Sequence, residues 1–360
     1  MTLTRYVTFK YLESLLWAFL AIFFLIMLVD GSDQMTYMAS KGVGAILGIK
    51  SALIRSPIFL LETLPLTVML GSLICFLSLA RTSELIIVRA AGRSAIRVLF
   101  APVLLTILLG ILATTVMNPV VAISIKYSEE FLEKLDLRPK SRLSFSSDGI
   151  WLREVKNDSQ IVVHATRANL DGTVLFDLTI HQFDGEDTLQ KKIYSKRGQL
   201  NDGFWVLKNA KIWSITPESS SGQEELRLEK IAMLNVPTDL TQGQILNNFA
   251  DPKAISFWSL PNFISKLELS GFSAARHKIY YQSEIARPLF LLSMMLIGAG
   301  FALSHNRFGQ TGILILTSVL SGFLLFSIKR VAISLGEAQE IPLILAAYGP
   351  SIAGIFLTMG

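Results

Sequence analysis

The chain has 360 residues, 51% of them apolar and only 17% charged, at a mean hydropathy of +0.49, which excludes an ordinary soluble domain. Its net charge of +5 comes without any long basic run, so a nucleic-acid-binding tail is excluded as well. Cys75 is the only cysteine and lies in an apolar stretch, which leaves no intrachain disulfide and no thiol-based metal site.

A bilayer core takes about 20 mostly apolar residues per helix. The first such segment covers residues 12–29 and is unbroken from Leu15 to Val29. No small-residue cleavage site follows it; Asp30-Gly31-Ser32-Asp33 does, so a retained helix is expected rather than a signal peptide. Further spans are expected at 58–80 and 98–122. Pro65 and Pro102 lie inside them, which neighbouring helices in a packed bundle accommodate. Between these two spans, residues 81–92 form a polar elbow. Its first half has the pattern of a short amphipathic helix, with Leu85, Ile86 and Val88 apolar and Arg81, Glu84 and Arg89 polar, and Gly92 fits a helix end. Such an elbow can lie on phosphate headgroups, or it can seat in a groove of a cytoplasmic ATPase.

From residue 123 the solvent changes. An amphipathic lead-in helix gives way to alternating strand-length segments: GIWLREV, QIVVHATRA, TVLFDLTIHQF, KKIYSKRGQL, GFWVLKNAKIWSI and EELRLEKIAML. Turn signals such as Asp171-Gly172, Asp184-Gly185 and Asn201-Asp202-Gly203 separate them. Evenly spaced short strands indicate a sandwich or open barrel, whose edges can dock a partner or whose trough can hold lipid. Residues 251–283 turn helical again. Phe257, Leu260, Phe263, Ile264 and Leu267 share one face and Gly271 ends the helix, which serves as a hinge or, alternatively, as a lever. Three more spans are expected at 285–303, 312–328 and 342–359, the last holding Pro350.

The fold class expected is therefore an α-helical membrane protein with six spans and an inserted all-β domain. Its parts are helices in 1–122, a β-domain with its lead-in helix in 123–250, a connector in 251–283 and helices in 284–360. Charge in the short loops orients it. Arg5, Lys10, Arg81, Arg89, Arg93, Arg97 and Arg307 form one set, with Glu13 and Glu84 as its acids; the other loops mix signs. The basic set is expected on the cytoplasmic side, with both termini, and the β-domain outside. Glu62, inside the second span, needs a partner, for which Arg55 and Arg330 are the candidates.

No Walker A sequence, H-E-x-x-H or G-x-S-x-G occurs, and the four histidines are scattered. The chain is not expected to be an enzyme, to need a cofactor or to hold a metal. Energy for transport must come from a partner or an ion gradient. No internal repeat of the kind found in ion-driven transporters is visible.

Here the residues meet a known pattern. Arg81-Thr82-Ser83-Glu84-Leu85, with Ala90 and Gly92 following, resembles the R-x-x-E-L-x-x-x-x-A-x-G segment of the LptF/LptG permeases of lipopolysaccharide export. The resemblance spans the chain. It takes in Pro57, Pro65 and Leu70-Gly71, Gly149-Ile150-Trp151, the stretch from Leu260 to Gly271, Pro288-Leu289 and Pro350, and Arg81 leans toward LptG. It implies a β-jelly-roll form for the insert and a heterodimer with a sister permease. It also implies a dimeric cytoplasmic ATPase, and LptC-like and LptA-like periplasmic jelly-roll proteins that carry lipopolysaccharide outward. Arg81, Ser83, Glu84, Leu85, Arg89 and Gly92 would form the ATPase coupling element. Lys41, Arg55, Lys126, Arg138, Lys140 and Arg142 would meet anionic headgroups. Phe23, Phe24, Phe59, Leu66, Phe290 and Phe301 would wall the lipid cavity. The resemblance also leads one to expect, in some relatives, basic residues near the outer ends of the first two spans; in this chain those neighbourhoods hold Asp30, Ile58 and Glu62. The competing expectation is a membrane-anchored sensor or scaffold whose β-domain binds partners without transport.

Overall fold

The structure, a computed structural model, describes residues 2–82, 84, 95–135, 137, 143–146, 149–156, 159–168, 173–184, 188–201, 203–217, 224–238, 251–269, 273–303 and 311–359. Among the described residues, the first helices are α1 (Thr2–Ser40), α2 (Ala45–Arg81), α3 (Ala95–Leu112) and, after a π-helical turn at Ala113–Met117, α4 (Asn118–Lys134). Seven strands follow: β1 (Leu143–Ser146), β2 (Gly149–Lys156), β3 (Ser159–Ala168), β4 (Val174–Phe183), β5 (Leu189–Asn201), β6 (Phe204–Pro217) and β7 (Glu224–Pro237). A 3-10 turn at Pro252–Ala254 leads to α5 (Leu260–Leu269), α6 (Ala275–Ile285), α7 (Arg287–Leu303), α8 (Thr311–Glu337) and α9 (Leu343–Met359). The chain divides into two compact units, 1–137 with 252–260 and 275–360, and 138–251 with 261–274.

Among the described residues of the first unit, four stretches are long and apolar enough to cross a membrane: Thr4–Ser40, Ala45–Arg81, Val98–Leu132 and Gly312–Glu337. The α6–α7 pair passes the same test as one span bent by 53°. Against the six spans expected, this gives four or five. α9 is apolar but only 17 residues long, short of the about 20 a bilayer core takes. The helices also outrun their apolar segments. α1 continues through Asp30-Gly31-Ser32-Asp33 to Ser40, because neither a proline nor a left-handed residue stops it there.

The helices approach closely where small residues face a neighbour. A Cβ on Gly71 would lie 3.0 Å from the Leu15 Cα of α1, one on Gly298 would lie 3.0 Å from the Leu73 amide of α2, and one on Gly110 would overlap the Pro288 backbone. Hydrogen bonds buried between helices join them: Tyr11 to Thr106 at 2.7 Å, Ser72 Oγ to the Met295 carbonyl at 2.8 Å and Thr114 Oγ1 to the Glu284 carbonyl at 2.9 Å. Without water, the Tyr11, Ser72 and Thr114 hydroxyls find their partners in these neighbouring helices. Cys75 and Phe76 lie in the core these helices enclose, with Leu73, Leu291 and Met295.

The second unit holds one antiparallel sheet in strict sequence order, β1 through β7. Six of its strands are those the alternation marks; β1, pairing Leu143–Ser146 with Gly149–Leu152, is an addition. Each strand neighbours the next, so the described pairing is a meander rather than the crossed order of a Greek key. One face is buried, with Leu152, Val163, Leu178, Ile180, Ile193, Trp205, Leu207 and Val236. Asp177 and Asn209 have φ near 50° and are skipped by the pairing, with the register unchanged on either side; the one register shift between β4 and β5 falls at Gln182/Phe183.

Candidate functional site

Two polar clusters interrupt the apolar first unit, and roughly 30 Å of α2 separates them at 1.5 Å per residue. The first lies where α2 ends. Arg81 closes the helix, and Thr82 caps it through its amide and Oγ1, both directed to the Ser78 carbonyl at 3.1 Å. Glu84 follows. Its Oε1 accepts from Tyr6 OH at 3.2 Å and Lys10 Nζ at 3.3 Å, and lies 2.9 Å from Thr82 Oγ1. Tyr6 and Lys10 are one turn apart on α1, and Lys10 also donates to the Tyr6 hydroxyl at 3.4 Å. Desolvation, the largest single influence on the Glu84 carboxyl, pushes its pKa up. The hydrogen bonds from Thr82, Lys10 and Tyr6 and the Lys10 charge outweigh it and hold the pKa below the ordinary glutamate value.

The second cluster forms around Glu62 of α2. Its carboxylate pairs with Lys253, from the 3-10 turn, and with Arg330 of α8 at 3.4 Å. Nearby, at the bend between α6 and α7, Arg287 forks onto both oxygens of Glu284 and donates to the Leu61 carbonyl at 3.2 Å. Glu284 is 1% exposed, so this pair is buried and hydrogen-bonded, the form in which an ion pair survives in an apolar bundle. Lys329 Nζ stands 3.9 Å from the centroid of the Phe290 ring, a cation–π contact. Asn118, fully buried, ties the same region to the connector: its Nδ2 donates to Tyr280 OH and its Oδ1 accepts the Phe257 amide, each at 2.8 Å. Of the two partners expected for Glu62, Arg330 is engaged. Arg55 instead meets Asp30 at 3.5 Å and stacks on Phe59.

The structure gathers some of the expected site residues and scatters others. Of the coupling set, Arg81 is exposed at the end of α2 and Glu84 sits in the first cluster; Ser83, Leu85, Arg89 and Gly92 lie outside the described residues. Of the headgroup set, Lys41 and Lys126 are exposed and Arg55 is engaged by Asp30, while Arg138, Lys140 and Arg142 lie outside the described residues. Leu66, Phe290 and Phe301 join one apolar cluster with Met69, Met294 and Leu325. Phe290 is wholly covered by this chain's own side chains, whereas Phe24 on α1 is 70% exposed and Phe23 stacks on Phe19. Tyr6, Lys253, Glu284 and Arg287 escaped the sequence reading, and Lys10 entered it only as a loop charge. The one usable signal was Glu284 and Arg287, an i,i+3 pair of opposite charge directly before Pro288 in an apolar stretch. Among the described residues no group of His, Cys, Asp and Glu is placed to hold a metal.

Residues 5–360 match the lipopolysaccharide export system permease LptF/LptG family. The chain is 25% identical over 299 residues to the lipopolysaccharide export system permease protein LptG of Haemophilus influenzae, covering 82% of this chain and 79% of that protein. It is 25% identical over 296 residues to LptG of Escherichia coli K12, covering 81% of this chain and 78% of the relative. Both relatives are LptG, the member toward which Arg81 leans. Matched along nearly its whole length, the chain belongs to the LptF/LptG family of lipopolysaccharide export permeases, a transporter component rather than a catalyst.

Proposed function

We propose that this chain is a permease subunit, of the LptG kind, in an ATP-driven exporter that extracts lipopolysaccharide from the bacterial inner membrane. It crosses that membrane six times with both termini in the cytoplasm, α6–α7 and α9 counting as spans. It pairs with a sister permease and rests on a cytoplasmic ATPase dimer. Its sheet curls into a periplasmic jelly-roll-like trough that hands lipid to LptC-like and LptA-like proteins. The observation that carries this is the union, in one member of this family, of an apolar helical bundle with a seven-stranded sheet between α4 and α5.

The physics of the cargo supports the same division of labour. Withdrawing an acyl chain from a bilayer costs about 0.8 kcal/mol per CH₂, so roughly 10 kcal/mol for twelve carbons. A lipid with several chains needs an apolar cavity in exchange, and two bundles face to face provide one, with Phe23, Phe24 and Phe59 as wall residues of this half. Lys41, Arg55 and Lys126 meet the phosphates. ATP binding in the partner shifts the pair from a lipid-accepting to a lipid-expelling state, and Glu84 receives that motion.

The test is co-purification together with complementation. The detergent-solubilised chain brings down the ATPase and the sister permease, and Glu84→Lys abolishes both the association and growth of cells depleted of the native permease. Capture of no ATPase, or full growth with Glu84→Lys, overturns the assignment in favour of a scaffold.

A further inference from the structure

The Glu84 carboxylate is used unevenly. Tyr6 OH, Lys10 Nζ and Thr82 Oγ1 all converge on Oε1, and among the described residues Oε2 has no hydrogen-bond partner. Lys10 is itself braced: it donates to the Tyr6 hydroxyl and stands 5.5 Å from the centre of that ring. Thr82 is fixed to the end of α2 through Ser78. One oxygen is thus anchored to two different helices while the other is left to a donor from elsewhere. A carboxylate can accept from several donors at once, so occupying Oε1 does not close Oε2.

Those two helices are also locked to each other. Gly71 lets α2 lie against the Leu15 backbone of α1, and a Cβ on Gly48 would overlap the Met35 backbone, so the contact persists along their length. Glu84 is thus tied to α1 through Tyr6 and Lys10 and to the end of α2 through Thr82, two helices in backbone contact with each other.

We propose that Tyr6 and Lys10 are positioning residues: they aim the free oxygen of Glu84 at a cationic side chain of the ATPase and pass the resulting load to the first span. The inference rests on the coupling role of Glu84 given above. The bland alternative is a partly exposed ion pair that adds slightly to stability and nothing else. Placing both donors on α1, and none of the load on Oε2, is what an oriented docking group requires.

The experiment uses the whole complex in lipid nanodiscs. It measures the affinity of the permease pair for the ATPase, the ATPase rate of the bound complex and, separately, the melting temperature of the permease pair. Glu84→Gln weakens ATPase binding by about tenfold or more, since a charged hydrogen bond is lost. Lys10→Met and Tyr6→Phe each weaken it by about fivefold with melting unchanged, and Lys10→Arg restores it, as coupled neighbours do. In the double variant of Lys10→Met with Glu84→Gln, the loss is smaller than the product of the two single losses. Wild-type affinity in both Lys10→Met and Tyr6→Phe, alongside a weakened Glu84→Gln, overturns the positioning role and leaves the coupling role of Glu84 standing. A lower melting temperature with unchanged affinity also overturns it, in favour of a plain structural pair. Unchanged affinity in Glu84→Gln overturns the coupling role itself.

Discussion

Glu284 and Arg287 sit side by side at 1% and 12% exposure of Glu284 as a whole and the Arg287 side chain, in a bundle that offers no water to replace either. Removing one partner from such a pair leaves an uncompensated charge, at a cost of about 3–5 kcal/mol. Glu284→Gln is therefore expected to lower the melting temperature of the purified chain steeply, and Glu284→Gln combined with Arg287→Met to recover much of the loss. A milder case lies in the sheet. Desolvation, then the Lys192 charge opposite it and His164, depress the pKa of the His181 imidazole below its usual 6.5. For a base with a lowered native pKa the unfolded chain binds more protons. Stability is then full above about pH 6.5 and falls as acid charges the ring. Thermal melts from pH 8 to pH 5 should show a shallower acid-side decline for His181→Asn than for the native chain. Residue identity made Glu84 and Glu62 legible beforehand, one through its motif and the other as an acid inside an apolar span. Arg330 was legible as a partner for Glu62, but the other partners were not. Lys10 is 74 residues from Glu84, Lys253 is 191 from Glu62, and nothing local marks contacts that only tertiary packing creates.

At the scale of elements, the alternation of the insert foretold six strands because turn chemistry and a buried face agreed there. Trp205, Leu207 and Ile212 alternate with exposed Lys208 and Lys211, the alternation changing phase at Asn209, whose φ is positive. β1 escaped because four residues, LSFS, are too few to show a period. The spans were legible from hydropathy, but their lengths and the bend at Ala286 were not, since a helix runs on until a breaker stops it and hydropathy is blind to direction. What holds the elements together is close approach. Gly298 admits the α2 backbone, and Ser72 Oγ reaches the Met295 carbonyl beside it. Gly298→Val drives a branched side chain into that backbone, an overpacking cost of about 1–3 kcal/mol or more that no rotamer relieves. The expected result is loss of melting cooperativity and of export together, whereas Gly300→Ala, with open space around it, is expected to change neither.

For the whole molecule, the decisive matter is which compartment each part faces, and a bilayer ties that to charge. The loops joined to the Glu84 end of α2 are basic, and those at the other ends mix signs. If the basic side is cytoplasmic, Arg81 and Lys208 of β6 face different solutions, although both are exposed. The chain is well suited to asking, because its only cysteine is fully buried at 0% exposure, so a thiol introduced elsewhere reports alone to a bulky reagent. In spheroplasts, a membrane-impermeant maleimide is expected to label Lys208→Cys at once and Arg81→Cys only after the inner membrane is opened. Labelling of both before permeabilisation would put the elbow and the sheet in one compartment. Motion from a cytoplasmic ATPase could then not reach Glu84, and the exporter mechanism would fail with the topology.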